Sequence, residues 1–202
     1  MTRTDVQLML DVKAGDEASF GILLQKYRLP LVNFLFRMVR DAATAEELAQ
    51  EVFLRVYRAR KQYSPSAKFT TWLFRIATNL ALNSVRDNRH RQMDVSIDAP
   101  ADEDETPIEL PGREMRIDEY MAERDRTKFI RNAIATLPEK QRVAVLLHKY
   151  EEMDYAEIAR ILDCSESALK SLLFRAYETL RVQLAPLVAQ PVAHRAGEGR
   201  PS

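Results

Sequence analysis

Amides and guanidiniums recur at helical spacing in two places along this chain. In the stretch Phe69–Arg91, Arg75, Asn79, Asn83 and Arg86 follow at intervals of three and four residues, so a helix would carry them on one face. Carboxamides offer a donor and an acceptor to a base edge, and guanidiniums grip phosphate. Arg89, His90 and Arg91 extend the basic character at its end. Further along, Glu166, Ser167, Lys170, Ser171, Phe174, Arg175 and Glu178 share one side of another helical stretch. There Lys170 and Arg175 suit phosphate or guanine, Ser167 and Ser171 suit phosphate, and Phe174 suits a thymine methyl. Solvated amphipathic helices would present similar faces.

Each face needs an apolar stripe behind it. For the first stretch that stripe is Trp72, Leu73, Ile76, Leu80 and Leu82, with Thr70 expected to cap the helix start. The preceding Tyr63-Ser-Pro-Ser-Ala-Lys68 reads as a loop broken by Pro65. Its hydroxyls, with Tyr63 and Phe69 at its edges, fit a grip on an unstacked base. They fit equally well an interhelical loop whose aromatics plug a core.

For the second face, Tyr155–Leu162 predicts a short helix, followed by a brief turn and a longer helix capped by Ser165. This is helix-turn-helix spacing. Ala159 falls where the two helices must approach closely, and Ile158, Leu169, Leu172 or Leu173, Ala176 and Leu180 supply a shared core.

The remaining elements are also helical. A short helix is expected over 4–14, stopped by Gly15. From Asp16, Phe20, Leu23, Leu24, Tyr27, Leu31, Phe34, Leu35 and Met38 keep helical spacing, with a kink or break expected at Pro30. The next helix is expected to open on a Thr44/Glu47 capping box. It would bury Leu48, Val52, Phe53 and Val56 and leave Glu46, Glu47, Gln50, Glu51, Arg55 and Arg58 for solvent or a partner. A later block beginning near Tyr120 predicts one helix with Phe129, Ile130, Ala133, Ile134 and Leu137 inward, ended by Pro138. A following helix has Val143, Leu146, Leu147 and Tyr150 inward.

The chain of 202 residues has no net charge, but residues 1–91 sum to +6, 92–125 to −9 and 126–202 to +3. Two basic blocks flank an acidic one, and basic blocks suit a polyanion. Met93–Gly112 holds three prolines, seven acids and no base, a composition that cannot fold alone and reads as a linker. The expected organisation is therefore all-α, with small helical domains at 1–91 and 121–185. An acidic flexible linker occupies 92–120, and a disordered tail follows at 186–202.

Catalytic and metal chemistry find no support. His90, His148 and His194 are scattered, and there is no glycine-rich phosphate loop or nucleophile elbow. Neither a cofactor nor a metal is expected. The single Cys164 fits a reducing compartment. Without a signal pattern or a membrane-length apolar run, the expectation is a cytoplasmic protein with no membrane insertion.

Asp41–Tyr57 and Phe69–Asn79 together resemble region 2 of the extracytoplasmic-function sigma factors of bacterial RNA polymerase. Leu137-Pro-Glu-Lys-Gln-Arg142 and the helix-turn-helix after Tyr155 resemble region 4. The order and the acidic linker match, and the resemblance spans about residues 16 to 184. It implies a dissociable initiation subunit that binds the core enzyme at the β′ clamp and β flap. It also implies capture of the −10 element of promoter DNA as an open strand and reading of the −35 element as duplex. By motif, Glu47, Gln50, Glu51 and Phe53 fall on the polymerase-binding helix. Tyr63, Ser64, Phe69 and Thr70 fall on a base-capturing loop, and Asn79, Asn83 and Arg86 on the −10 helix. Ser167, Lys170, Ser171, Phe174 and Arg175 fall on the −35 helix. An anti-sigma factor is implied as a regulatory partner. Asp163 and Ser167 stand where the family often has glycine, Leu172 where it often has arginine, and Asn83 where aspartate is common. The rival reading is a helix-turn-helix regulator that binds duplex DNA without being a polymerase subunit.

Overall fold

The structure, a computed structural model, describes residues 3–94 and 117–189. Most of the expected acidic linker, and the tail from residue 190, lie outside the described residues. Eight α-helices and no strand occur among those described. Helix α1 spans Asp5–Ala14, α2 Glu17–Val39, α3 Ala42–Arg58 and α4 Phe69–Asp94. The second module holds α5 (Ile117–Ala135), α6 (Glu139–Lys149), α7 (Tyr155–Leu162) and α8 (Glu166–Ala189).

Helix α1 starts on Thr4, whose hydroxyl accepts from the Gln7 amide, and ends on Gly15 at φ 107°. That left-handed conformation favours glycine. Helix α2 is capped by Asp16, whose carboxylate accepts from the amides of Ala18 and Ser19. It then runs as one helix through Pro30, so of the expected kink or break the break does not occur. Proline costs the helix one internal hydrogen bond. Tyr27, Leu31, Phe34 and Leu35 are buried on both sides of that gap, and their packing holds the two halves in one helix.

The start of α3 also differs from the expected capping box. Asp41 caps it, accepting from the Thr44 amide at 2.7 Å, so Thr44 lies inside the first turn. In the same way α4 begins at Phe69, which puts Thr70 within the helix rather than at its cap. Buried Val52, Phe53 and Val56 of α3 meet the core formed by α2 and α4.

Two residues expected inward in the second module are exposed: Phe129 at 40 % and Tyr150 at 42 %. Phe129 lies outside the stripe of Ala133, Ile134 and Leu137 that is buried. Tyr150 sits at the C-terminal end of α6, where the Arg37 guanidinium of α2 lies 4.1 Å from its ring centre. This cation contact accompanies a ring at the surface, a position that helical spacing alone does not predict. Helix α5 begins at Ile117, ahead of the expected Tyr120. Helix α8 continues through Pro186 to Ala189, past the expected start of the tail.

The modules are docked on each other, with α7 against α4 and α6 against α2. Their buried side chains belong to one continuous apolar core.

Candidate nucleic-acid interface

Helix α4 buries Phe69, Leu73, Phe74, Ala77, Leu80 and Ala81. This leaves Arg75, Asn79, Asn83 and Arg86 exposed on its other side, as their spacing requires. Trp72 is only partly buried, and its ring meets those of Tyr63 at 5.1 Å and Phe69 at 6.2 Å. Tyr63 and Phe69 are themselves 3 % and 1 % exposed. Their rings therefore plug the base of the loop, which presents Ser64, Pro65, Ser66 and Lys68 to solvent with Thr70 half-buried at its end. Burial pushes the Tyr63 phenol above its ordinary pKa, and its hydroxyl finds no hydrogen-bond partner.

The helix-turn-helix is built as its spacing predicts. Asp154 caps α7 through a capping box: its carboxylate accepts from the Glu157 amide at 2.8 Å, while Glu157 accepts from the Asp154 amide at 3.2 Å. Asp163 ends α7 in the left-handed region, at φ 52° and ψ 57°. Aspartate is among the few residues besides glycine that enter this region readily, so the turn forms without a glycine there. Ser165 opens α8 by accepting from the Ala168 amide at 3.1 Å. Ala159 is buried at the crossing with Leu169 and Leu173.

Along α8, Ser167, Lys170, Ser171, Phe174 and Arg175 all project outward, with Phe174 68 % exposed. A phenyl ring so exposed on a rigid helix is costly in water and useful against a base. The Ser171 hydroxyl donates to the Ser167 carbonyl at 3.1 Å and keeps its acceptor side free. Leu172, by contrast, packs partly buried against the core. This side chain supports the domain instead of reaching for phosphate.

The expected partner-binding residues of α3 divide by exposure. Glu47 and Gln50 are exposed, Glu51 is half-buried and bonded to Arg55 at 2.7 Å, and Phe53 is buried. Phe53 lies in the floor of an open groove between α2 and α3, with Phe20, Leu24, Val32, Leu54 and Tyr57 along it and Gln50 on its rim. Leu24 and Leu54 are 36 % and 48 % exposed. Of this groove the sequence motif names Gln50 and Phe53 but not Phe20, Leu24 and Tyr57, since helical spacing assigns Phe20 and Leu24 to the core.

Several side chains between the modules were not anticipated either. Thr71 donates to Glu157 at 3.2 Å, and Lys68 pairs with the other oxygen of Glu157 at 3.1 Å. Arg89 and Arg86 approach Glu139 at 3.3 and 3.8 Å. Arg142 donates to the Met38 carbonyl at 3.1 Å, and Arg40 donates to Asn132 at 2.9 Å. The pattern Asp154-Tyr-Ala-Glu157 was available as a capping-box signal. Nothing in the sequence announced its second role.

Among the described residues no cluster of His, Cys, Asp or Glu could hold a metal, and no helix is long and apolar enough to cross a membrane. A pair of modules all-helical among the described residues, one carrying a helix-turn-helix and the other an amide-and-guanidinium helix face, is an architecture suited to binding DNA. The chain matches the models of Sigma-70 region 2 over residues 23–91 and of Sigma-70 region 4 over 130–180. It is 33 % identical over 192 residues to the RNA polymerase sigma-H factor of Pseudomonas aeruginosa, covering 92 % of this chain and 96 % of that protein. It is 30 % identical over 188 residues to the ECF RNA polymerase sigma-E factor of Escherichia coli, with the same coverage. In fold it is similar to CnrH in its complex with the cytosolic domain of CnrY, at a TM-score of 0.65 and 19 % identity over 89 % of this chain and 96 % of that one. The sigma factor RpoE of Bartonella quintana, in complex with the anti-sigma factor NepR, gives a TM-score of 0.63 at 20 % identity. That match covers 82 % of this chain and 96 % of that one. The chain belongs to the extracytoplasmic-function group of the sigma-70 family and is an RNA polymerase sigma factor.

Proposed function

We propose that this sigma factor binds the core polymerase through α3 and the apolar groove beside it, and reads a promoter at two separate places. In the first module, Asn79, Asn83 and Arg86 face the −10 element, with the Tyr63–Thr70 loop above them. Tyr63 and Phe69 frame that loop from within, so Ser64 and Thr70 are the groups that meet an extruded base. In the second module, α8 enters the major groove of the −35 element with Ser167, Lys170, Ser171, Phe174 and Arg175. The observation that carries this reading is the simultaneous exposure of both polar faces, each backed by its own buried stripe.

The work done is strand capture, with no bond broken by this chain, and we place it in the cytoplasm as a non-enzymatic subunit. Flipping a stacked base costs a few kcal/mol, which contacts to the loop and to the polymerase must offset. Two small DNA footprints bind weakly by themselves, so core enzyme supplies much of the affinity. An anti-sigma factor is the regulatory partner that fits such a subunit, since covering either polar face would silence it.

Run-off transcription with purified bacterial core enzyme on a promoter panel tests the proposal. Promoter-dependent transcripts appearing only when this chain is added are the expected result. A gel shift with and without core enzyme separates it from an ordinary regulator, which would bind duplex promoter equally well alone.

A further inference from the structure

Helix α1 touches the loop at 63–69 at both of its ends. At the entry, the Lys13 ammonium, in the last turn of α1, donates to the Tyr63 carbonyl at 2.8 Å across 50 residues of chain. At the exit the contact is relayed. Asp5, in the first turn of α1, accepts from the Tyr27 hydroxyl and pairs with Lys26 at 2.6 Å. The Tyr27 ring in turn meets that of Phe69 at 5.5 Å. The two anchors are joined beneath the loop, because Trp72 touches both Tyr63 and Phe69. The Asp5 charge also reaches the Tyr63 phenol, where it adds to burial in raising the pKa. Leu8, Met9 and Val12 sink α1 into the core, so both anchors stand on a fixed element.

We propose that α1 is a brace for base capture, with Lys13 and Asp5 as positioning residues that set the geometry of the 63–69 loop. The inference rests on the proposed base-capturing role of that loop and adds which residues hold it ready. Residues 64–68 lie outside any helix, so the placement of their outward groups comes from where the chain enters and leaves. Binding groups on a loop take their precision from the scaffold beneath them, and looseness of about 1 Å is enough to spoil a site. Tyr63 follows the short 3-10 helix Arg60–Gln62, at the point where regular structure stops. An ammonium on its carbonyl makes a charge-assisted bond, stronger than a neutral one. Lys13 is exposed and Asp5 half-buried, so neither fills the core. What they add is placement.

The test uses holoenzyme assembled from the full chain and bacterial core polymerase, on forked templates cut from a promoter that gives a run-off transcript. Each non-template position of the single-stranded −10 element carries in turn the four bases or an abasic nucleotide. For the parent chain we expect at least a ten-fold preference for one base at one position. Lys13→Met keeps the length of the side chain and removes the donor. It should cut affinity for the preferred base at least five-fold and leave the abasic template within two-fold of the parent, and Lys13→Arg should restore the preference. In the free chain, acrylamide should quench Trp72, the one tryptophan in the sequence, more readily in Lys13→Met and Asp5→Ala than in the parent. An equal loss on the abasic template would overturn the brace. So would a fall of about one in the salt-dependence slope, which marks Lys13 as a phosphate contact. A parent chain without base preference defeats the capture reading and the brace with it. A parent with that preference, matched by Lys13→Met, defeats the brace alone.

Discussion

Thr71 and Glu157 stand 86 residues apart in the chain, and the hydroxyl of the first donates to the carboxylate of the second at 3.2 Å. The other Glu157 oxygen accepts from the Asp154 amide at 3.2 Å and pairs with Lys68 at 3.1 Å. One carboxylate therefore closes the first turn of α7 and fastens that helix to α4. Though only 6 % exposed, this side chain has three donors around it, the Thr71 hydroxyl, the Asp154 amide and the Lys68 ammonium, which offset the cost of burying it.

Removing that carboxylate should cost more than removing its counter-ion. Glu157→Ala strips the capping box and leaves a buried hydroxyl and an amide without their acceptor, a loss of about 1–2 kcal/mol. Lys68→Ala removes only a cation that is 67 % exposed, and exposed pairs contribute under about 1 kcal/mol. Urea titrations of both variants measure the difference. Equal midpoints would show that Glu157 acts only through Lys68.

Tyr63 offers the opposite sign. Its ring is packed in the loop base against Trp72, but its hydroxyl is buried without a partner. Leaving such a group unpaired costs about 1–3 kcal/mol. Tyr63→Phe should then raise stability by about 1 kcal/mol while leaving transcription intact. Tyr63→Ala should cost about 3 kcal/mol through the cavity it opens. A Tyr63→Phe chain that is stable but fails to open promoters would return the hydroxyl to a direct role in base capture.

Stability should also depend on pH through Glu151. Burial pushes its carboxyl up to about 7, with Arg37 pulling partly the other way. Because the folded chain binds this proton more tightly than the unfolded one, its contribution is greatest at low pH. It declines as pH rises from 4.5, the ordinary carboxyl value, to about 7, by at most about 3.5 kcal/mol at roughly 1.4 kcal/mol per unit. Denaturation midpoints measured from pH 5 to 8 should fall for the parent and flatten for Glu151→Gln. Parallel curves would place the ionisation elsewhere.

How much of this was legible beforehand follows the range of the forces involved. The helix-turn-helix, Ser165 as a cap, and the exposed faces of α4 and α8 follow from spacing, because they depend on neighbours three and four residues away. Asp41 in place of Thr44 was a contest between two good caps, decided by where the chain leaves α2. Pro30 inside α2 and Tyr150 outside the core were decided by tertiary partners, Leu31 and Phe34 in one case and Arg37 in the other. The ion pair between Glu139 and Arg89 was invisible for the same reason. Glu139 and Arg89 meet only once the fold brings them together.

The two polar faces should fail in distinguishable ways. Asn79 on α4 faces outward, so Asn79→Ala should slow promoter opening at least ten-fold while core-enzyme binding stays within two-fold. Losing one good base contact costs about 1–3 kcal/mol. Lys170→Ala and Arg175→Ala on α8 should weaken upstream protection in footprints. A lysine bound to phosphate should also lower the salt-dependence slope of binding by about one. Arg175, whose Nε already donates to the Ser171 carbonyl at 3.2 Å, is held along the helix. Its terminal nitrogens are therefore the groups free for phosphate or guanine. Footprints and salt titrations on holoenzyme, with permanganate reactivity reporting the melted strand, separate the two faces. Loss of melting without loss of upstream protection belongs to α4, and the reverse belongs to α8. An Asn79→Ala chain that melted normally but lost the −35 footprint would exchange the roles assigned to the two modules.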